Sequence, residues 1–402
     1  MQIGDVVRTT IDSIAFGGAG VGRVEGRVVF VPYTVTGDEV AIEIRELRKK
    51  FALGQVRKLL VPSEYRTESR CPYFGQCGGC QLQHVAYGYQ LASKKRQVID
   101  IFARLGKLSS PPVRDVIPSP RMFNYRLKAD YHVQTTEGGV WNIGFRHATE
   151  NRVLDIEGCA LVEESINRSF RAWREALRRG DRSPASERQT IWATAADEKP
   201  PESCRAANGS SLITRVVQGR SLVFPREGFF QVNASLVDTL IEQVQEFAAL
   251  TGGERVLDAY CGCGLFALFL APRALSVAGI EISEAAVQCA RSNLQKAGLV
   301  NTVFFTGNCD EILKQRFVKK RVPLDVVLLD PPRAGCHQDV LEAVRESKAK
   351  KVIYVSCNPA TQARDIRHLV DRGFSLKCLQ PLDMFPQTGH IEVIALLHGD
   401  GC

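Results

Sequence analysis

The chain has 402 residues, 45% of them hydrophobic, and a formal charge of +8, a composition ordinary for a globular protein with two or three packed cores. Its amino terminus, Met1 to Asp5, has neither a basic cap nor an apolar run, and no window reaches the uncharged length of a membrane span. A cytoplasmic address is expected, with the thirteen cysteines as reduced thiols and a metal site rather than disulfides.

The charge is unevenly spread. Residues 1 to 63 carry nine Lys and Arg against seven Asp and Glu, residues 64 to 182 nineteen against thirteen, and residues 183 to 402 twenty-four against twenty-four. A front half facing a polyanion, most simply nucleic acid, and a neutral back half fit this asymmetry.

From Met1 to about Pro62 the pattern is short, turn-bounded and β-branched: Val6 to Ile11, Arg27 to Val31, Val40 to Ile44 and Leu53 to Leu59. It predicts a small barrel. Gly18, Gly20 and Gly22 echo a dinucleotide loop, but no helix follows, so a hairpin is expected. Arg23, Arg45, Arg48, Lys49 and Lys50 are candidate phosphate contacts. This stretch resembles a TRAM domain, an RNA-binding barrel of certain RNA-modifying enzymes.

Three thiols follow within ten residues, Cys71, Cys77 and Cys80, with Cys159 available as a fourth. A tetrathiolate site holds zinc or an iron–sulfur cluster, and spacing alone leans to zinc. Tyr89 to Leu105 reads as a helix carrying Lys94, Lys95 and Arg96, and Tyr125 to Val133 and Val140 to Phe145 as strands about a Gly138-Gly139 turn. Ser165 to Arg179 reads as a helix whose Arg168, Arg171, Arg174, Arg178 and Arg179 form a candidate phosphate track. Arg182 to Asn208 is polar around one strand-like segment, Thr190 to Ala195, and carries no chemistry.

From Phe224 strands alternate with amphipathic helices, the mark of a parallel sheet. Arg255 to Tyr260 runs into the glycine turn Cys261-Gly262-Cys263-Gly264; Ser276 to Ile280 ends at Glu281, Thr302 to Thr306 leads to Asn308, and Leu324 to Leu329 ends at Asp330-Pro331-Pro332-Arg333. Polar groups at four successive strand ends describe one nucleotide-sized crevice, and the glycine pattern suits S-adenosylmethionine better than a nicotinamide. Lys351 to Val355 is a fifth strand, so Cys357 stands at a strand's carboxyl end before a helix from Ala360 to Asp371. A closing strand, Ile391 to Leu397, brings Glu392.

Taken together, Phe229-Phe230-Gln231-Val232-Asn233, Asp258 to Gly264, Asp330 to Arg333, Ser356 to Pro359 and Gly389-His390-Ile391-Glu392 resemble the RNA 5-methyluridine methyltransferases. The resemblance implies a Rossmann-like methyltransferase sheet in residues 224–402, a TRAM barrel in 1–62 and a central α+β domain in 63–223 with a cysteine cluster and a basic surface. It implies Cys357 as nucleophile, Glu392 as proton acceptor, and Gln231, Tyr260, Leu265, Glu281, Asn308 and Asp330 as cofactor and substrate contacts, although Leu265 departs from the polar residue some relatives carry. It also implies a 4Fe–4S cluster on Cys71, Cys77, Cys80 and Cys159, and RNA as partner, ribosomal RNA first and transfer RNA second. Two other classes stand beside it. A binding factor with an inactive methyltransferase fold would need neither Cys357 nor Glu392, and an exocyclic-amine methyltransferase would carry an aromatic residue where Arg333 stands.

Overall fold

A computed structural model describes residues 1–181, 186–193 and 211–399. Most of the Arg182–Asn208 stretch, with Cys204, and the carboxyl-terminal Cys402 lie outside the described residues.

The first five strands, β1 (Val6–Ile14), β2 (Gly20–Val24), β3 (Arg27–Val31), β4 (Glu39–Leu47) and β5 (Phe51–Val61), close into a barrel in the order β1-β2-β3-β5-β4. Alternation makes its core: Val40, Ile42 and Ile44 of β4 all point inward, against Ile11, Val29, Val31 and Ala52. At Gly20 a Cβ would lie 2.0 Å from Thr34 Oγ1, so only glycine fits there. Buried Asp38 closes the barrel's end, accepting from Val35 N at 2.6 Å and pairing with Arg66 at 2.7 Å.

Helix α1 (Tyr87–Arg104) follows the cysteine segment. Gln90, Lys94, Gln97, Val98 and Phe102 fall on its buried face, which packs on β1 and on the last helix of the chain. Of the basic run Lys94, Lys95 and Arg96 that the helix carries, Lys94 takes no part in the surface: its ammonium is fully buried, 2.6 Å from Asp383. A four-stranded sheet, order β8-β7-β6-β9, combines β6 (Lys128–Thr135), β7 (Trp141–Arg146), β8 (Val153–Asp155) and β9 (Arg188–Trp192). Helix α2 (Glu164–Arg178) covers it through Ile166, Phe170 and Leu177, with Phe170 stacked on Tyr131 at 3.9 Å. Of the candidate phosphate track on this helix, Arg168 stands exposed, while the other four arginines have carboxylate partners. Arg174 is half-buried, Arg174 and Arg178 both reach Asp155 at 2.6 Å, and Arg171 and Arg179 pair with Glu164 and Asp181.

After a hairpin of β10 (Leu212–Val217) and β11 (Arg220–Pro225) and helix α3 (Val237–Ala248), the chain builds its largest sheet. Its elements are β12 (Arg255–Asp258), α4 (Leu265–Leu270), β13 (Ser276–Glu281), α5 (Glu284–Lys296), β14 (Thr302–Thr306), α6 (Cys309–Ile312), β15 (Val326–Leu329), α7 (Gln338–Glu346), β16 (Lys351–Ser356), α8 (Pro359–Val370), β17 (Phe374–Leu382) and β18 (Glu392–Gly399). The strand order is β14-β13-β12-β15-β16-β18-β17. The first five run parallel, with strands such as Val326–Leu329 buried throughout, as a sheet covered on both faces requires. β18 is antiparallel to both its neighbours, β16 and β17. Short parallel bridges, Val113 to Leu379 and Ile117 to Leu382, lay the segment after α1 along β17. Among the described residues no helix is long and apolar enough to cross a membrane.

Candidate active site

Because β12, β13, β14 and β15 are parallel neighbours, their carboxyl ends open on one side of the sheet, where such sheets bind ligands. Gly262 and Gly264, at φ +52° and +82°, turn the chain after β12; a Cβ on Gly264 would press to 3.1 Å against Ala290 and Leu294 of α5. Glu281 fixes this loop, accepting from Gly262 N at 3.1 Å and from Ser283 N at 2.9 Å. Each carboxylate oxygen keeps a second lone pair for a ligand hydroxyl. Fully buried Asp258 is pushed up to about 8 by burial, then by the charges of Asp330 and Glu281, and half-buried Asp330 is pushed up to about 7 by burial. Such a set of acids suits a cationic ligand that carries a ribose, which is the chemistry of S-adenosylmethionine.

The other expected contacts fall unevenly. Asn308 precedes α6 and spends no side-chain bond on capping it. Tyr260 is held among apolar residues with Cys309 and Cys336 at its hydroxyl, and burial raises its pKa. Leu265, 7% exposed, packs in the hydrophobic core. Gln231, 6% exposed, belongs to a segment threaded between the central sheet and the end of β17: Leu127 N donates to Val232 O at 3.0 Å, and Asn233 Nδ2 to Met384 O at 3.3 Å. Phe229, two residues earlier, stands 72% exposed.

The pair expected to carry the chemistry sits one strand further. Ser356 of β16 is paired with Val393 of β18, so the next residues outward, Cys357 and Glu392, come together at the ends of these two strands. The turn at Cys357 is tight. Asn358 N donates to Ser356 Oγ at 3.1 Å, and the Asn358 side chain caps α8 by accepting from Ala360 N at 3.2 Å. The same side chain reaches the preceding loop, Nδ2 donating to Arg333 O at 3.0 Å, where Thr361 Oγ1 also donates at 3.2 Å. The Asp330-to-Arg333 loop is thereby tied to the thiol's turn, and the Arg333 guanidinium lies near enough to the Cys357 thiol to lower its pKa.

Electrostatics follow from this packing. Burial, then the Glu392 charge, push the Cys357 thiol up to about 11, and Arg333 pulls it back. Glu392, only 4% exposed, is raised well above the usual carboxylate range by burial and then by Asp330, with Arg333 opposing. His390 is lowered to about 4 by burial and by nearby Arg333, Lys94 and Arg126, so it carries no charge near neutrality. Arg333 was legible in the sequence only as a residue out of place for an amine methyltransferase; its hold on the thiol needed the Asn358 and Thr361 bonds to be seen.

Cys71, Cys77, Cys80 and Cys159 line one cavity of about 460 Å3, far in the chain from Cys357. Among the described residues no group of three or more His, Cys, Asp or Glu side chains stands placed to hold a metal ion. The donor chemistry nevertheless fits a thiolate-bound centre. Gly79 N donates to Cys77 Sγ at 3.4 Å, Leu161 N to Cys159 Sγ at 3.4 Å and Gln83 Nε2 to Cys80 Sγ at 3.2 Å, the polar cradle that charged sulfurs need. Burial and repulsion from the neighbouring cysteines raise Cys77 to about 11 and Cys80 to about 12, a cost that a cationic centre would offset.

The tRNA (uracil-5-)-methyltransferase family model matches residues 213–399, and the TRAM domain model residues 1–56. An uncharacterized RNA methyltransferase of Halalkalibacterium halodurans is 34% identical over 447 aligned positions, covering 98% of this chain and 97% of that one. A counterpart from Listeria innocua is 31% identical, covering 97% of each. Among solved structures, the Pyrococcus abyssi tRNA (uracil-54, C5)-methyltransferase in complex with S-adenosyl-L-homocysteine superposes with a TM-score of 0.74 at 26% identity, over 97% of this chain and 99% of that chain.

Proposed function

The chain belongs to the S-adenosylmethionine-dependent RNA (uracil-5-)-methyltransferases, and from that premise we propose that it methylates C5 of one uridine in a structured RNA through a covalent bond between Cys357 and C6. The observation that carries this reading is the juxtaposition of Cys357 and Glu392 at the end of the crevice. Uracil C5 is too weak a nucleophile to take a methyl group unaided. Addition of the Cys357 thiolate to C6 pushes the ring electrons into an enolate, which makes C5 nucleophilic. S-adenosylmethionine, when bound, supplies the electrophilic methyl. Glu392 then removes the C5 proton, the electron pair returns to the ring, and the S–C6 bond breaks to release the thiolate. A buried carboxylate with a raised pKa is a stronger base than an exposed one, which suits the second half of this sequence.

Gln231, Tyr260, Leu265, Glu281, Asn308 and Asp330 are proposed as cofactor and substrate contacts; for Leu265 the buried side chain limits any contact to its edge. Residues 1–62 are read as the RNA-gripping barrel, 63–223 as the part that holds a 4Fe–4S cluster on Cys71, Cys77, Cys80 and Cys159, and 224–402 as the catalytic part. The cluster is assigned a structural role, because the methyl transfer moves no electron through it. The thiol lies within the sheet's crevice, so the base is flipped out of any stack, which favours a loop or bulge.

Ribosomal RNA is the first substrate to test. Transfer RNA is the second reading, favoured by the Pyrococcus structure. Incubating the enzyme with total RNA and methyl-labelled cofactor and mapping the product is expected to yield 5-methyluridine at a defined position; label on an exocyclic amine, or none, would overturn the assignment.

A further inference from the structure

Glu392 is delivered by the segment 383–391 between β17 and β18, and distant parts of the chain hold that segment. Tyr125 Oη donates to Pro386 O at 3.0 Å and Lys94 Nζ to Phe385 O at 3.1 Å. Gln90 and Gln387 exchange two bonds, at 3.0 and 3.1 Å, and the backbones of Gln81 and Leu82 donate to Gln387 O at 3.2 and 3.0 Å. Nearer to the carboxylate, Ile391 is buried in the core and Glu392 pairs with Leu382 of β17, while Gly389 is held from two sides. Gly17 of the barrel lies against it so closely that a Cβ on Gly389 would stand 2.4 Å from the Gly17 carbonyl carbon. The other is the Gln81 side chain, whose Oε1 accepts from Gly389 N at 3.1 Å while its Nε2 donates to Gly78 O at 2.9 Å.

We propose that Gln81 is a positioning residue for the base, a strut that joins the turn between Cys77 and Cys80 to the backbone three residues before Glu392. This rests on Glu392 as the group that takes the C5 proton. The residue type fits the task, because a strut with an accepting end at Gly389 and a donating end at Gly78 needs a side-chain amide. Asparagine is too short to span both, and glutamate lacks the donor. The strut is itself pinned: a Cβ on Gly18 would meet Gln81 Cβ at 2.6 Å, so the barrel's hairpin closes over it. Through Gln81 the carboxylate's position depends on the cysteine loop and the barrel as well as on its own sheet, which gives these front-end modules a part in the chemistry beyond gripping RNA.

The test is Gln81→Met, which keeps length and volume and removes both bonds, beside Gln81→Glu, which keeps an acceptor for Gly389. In single-turnover reactions with target RNA, formation and decay of the methylated covalent complex are followed separately on denaturing gels. Decay is expected to slow about fivefold to tenfold in Gln81→Met, the scale of one lost hydrogen bond. Formation and cofactor affinity should stay within about twofold, and Gln81→Glu should recover most of the decay rate. Amide hydrogen exchange over 385–391 should quicken in Gln81→Met and not elsewhere in the large sheet. Formation and decay slowing together, unchanged decay, or Gln81→Glu no better than Gln81→Met would overturn the proposal. If the unaltered enzyme formed no complex even with 5-fluorouridine RNA, the covalent reading would fall first and this proposal with it.

Discussion

Cys357 and Glu392 leave neighbouring antiparallel strands one residue beyond the Ser356–Val393 pair, so sheet register, not loop flexibility, sets their separation. A one-residue slip of β18 would turn Glu392 to the opposite face. The insertion of β18 between β16 and β17 is what brings the proposed nucleophile and base, thirty-five positions apart in sequence, to one end of the sheet.

Removal of each member should stop the reaction at a different point. Cys357→Ala is expected to abolish methylation and every covalent enzyme–RNA species. Glu392→Gln should permit addition and methyl transfer but stall elimination, so a methylated complex accumulates on a denaturing gel. An adduct persisting in Cys357→Ala would move the nucleophile elsewhere.

The thiol's charge balance can be read by alkylation. With its pKa pushed up to about 11, only about one Cys357 in a thousand is thiolate at pH 8, and reactivity with iodoacetamide should climb tenfold per pH unit toward that value. Arg333 lowers the thiol's pKa and the Glu392 charge raises it, so Arg333→Gln should slow alkylation at pH 8 and Glu392→Gln should speed it. Mass spectrometry of the Cys357 peptide across pH 7 to 10 reads both signs, and equal rates in all three proteins would deny the guanidinium its role.

On the barrel, Arg45 and Arg48 pair with Glu43 and Glu46, while exposed Arg23, Lys49 and Lys50 carry no ion pair among the described residues. Changing Arg23, Lys49 and Lys50 to Ala should weaken RNA binding and lessen its salt slope by about 1 per lost phosphate contact, with cofactor affinity unaltered. Titrations at several salt concentrations decide it. Such point changes are cleaner than deleting residues 1–62, which would also remove Gly17 from Gly389 and the Ile14 and Ala15 carbonyls from Gln97.

Protein purified without oxygen should be brown and hold about four iron atoms, lost in Cys77→Ser or Cys80→Ser. Colourless protein with stoichiometric zinc would replace the cluster by a single ion.

Inside the molecule, Lys94→Met should cost about 3 to 5 kcal/mol by stranding the buried Asp383 carboxylate, and adding Asp383→Leu should restore most of it. Urea denaturation of the two variants measures the difference.

Strands with strong alternation or continuous apolar runs were legible in the sequence: Arg27–Val31 and Thr302–Thr306 fall where the pattern puts them, and the glycine turn with Glu281 describes a crevice that the sheet order supports. Charge partners were not legible. Lys94 stands in a run of three basic residues, and only the spacing of Gln90, Lys94, Gln97, Val98 and Phe102 along one helical face marks it as buried. Nothing local ties Arg174 and Arg178 to Asp155, since such pairs form across elements whose packing no periodicity encodes. β17 was missed because its second half, Cys378–Leu382, is buried regardless of residue type, Gln380 and Pro381 included.

The ion pair of Lys94 with Asp383 spans 289 residues, and the Gln81–Gly389 bond spans 308. A ribosome adding ~5 to 20 residues per second needs roughly 15 to 60 s to make the first of these gaps. For all that time α1 carries an ammonium group destined for burial with no counter-ion yet synthesised, so it docks with its charge paired only after Asp383 has emerged. A product terminated before Asp383 would lack both the proposed base and the means to seat the helix that frames it.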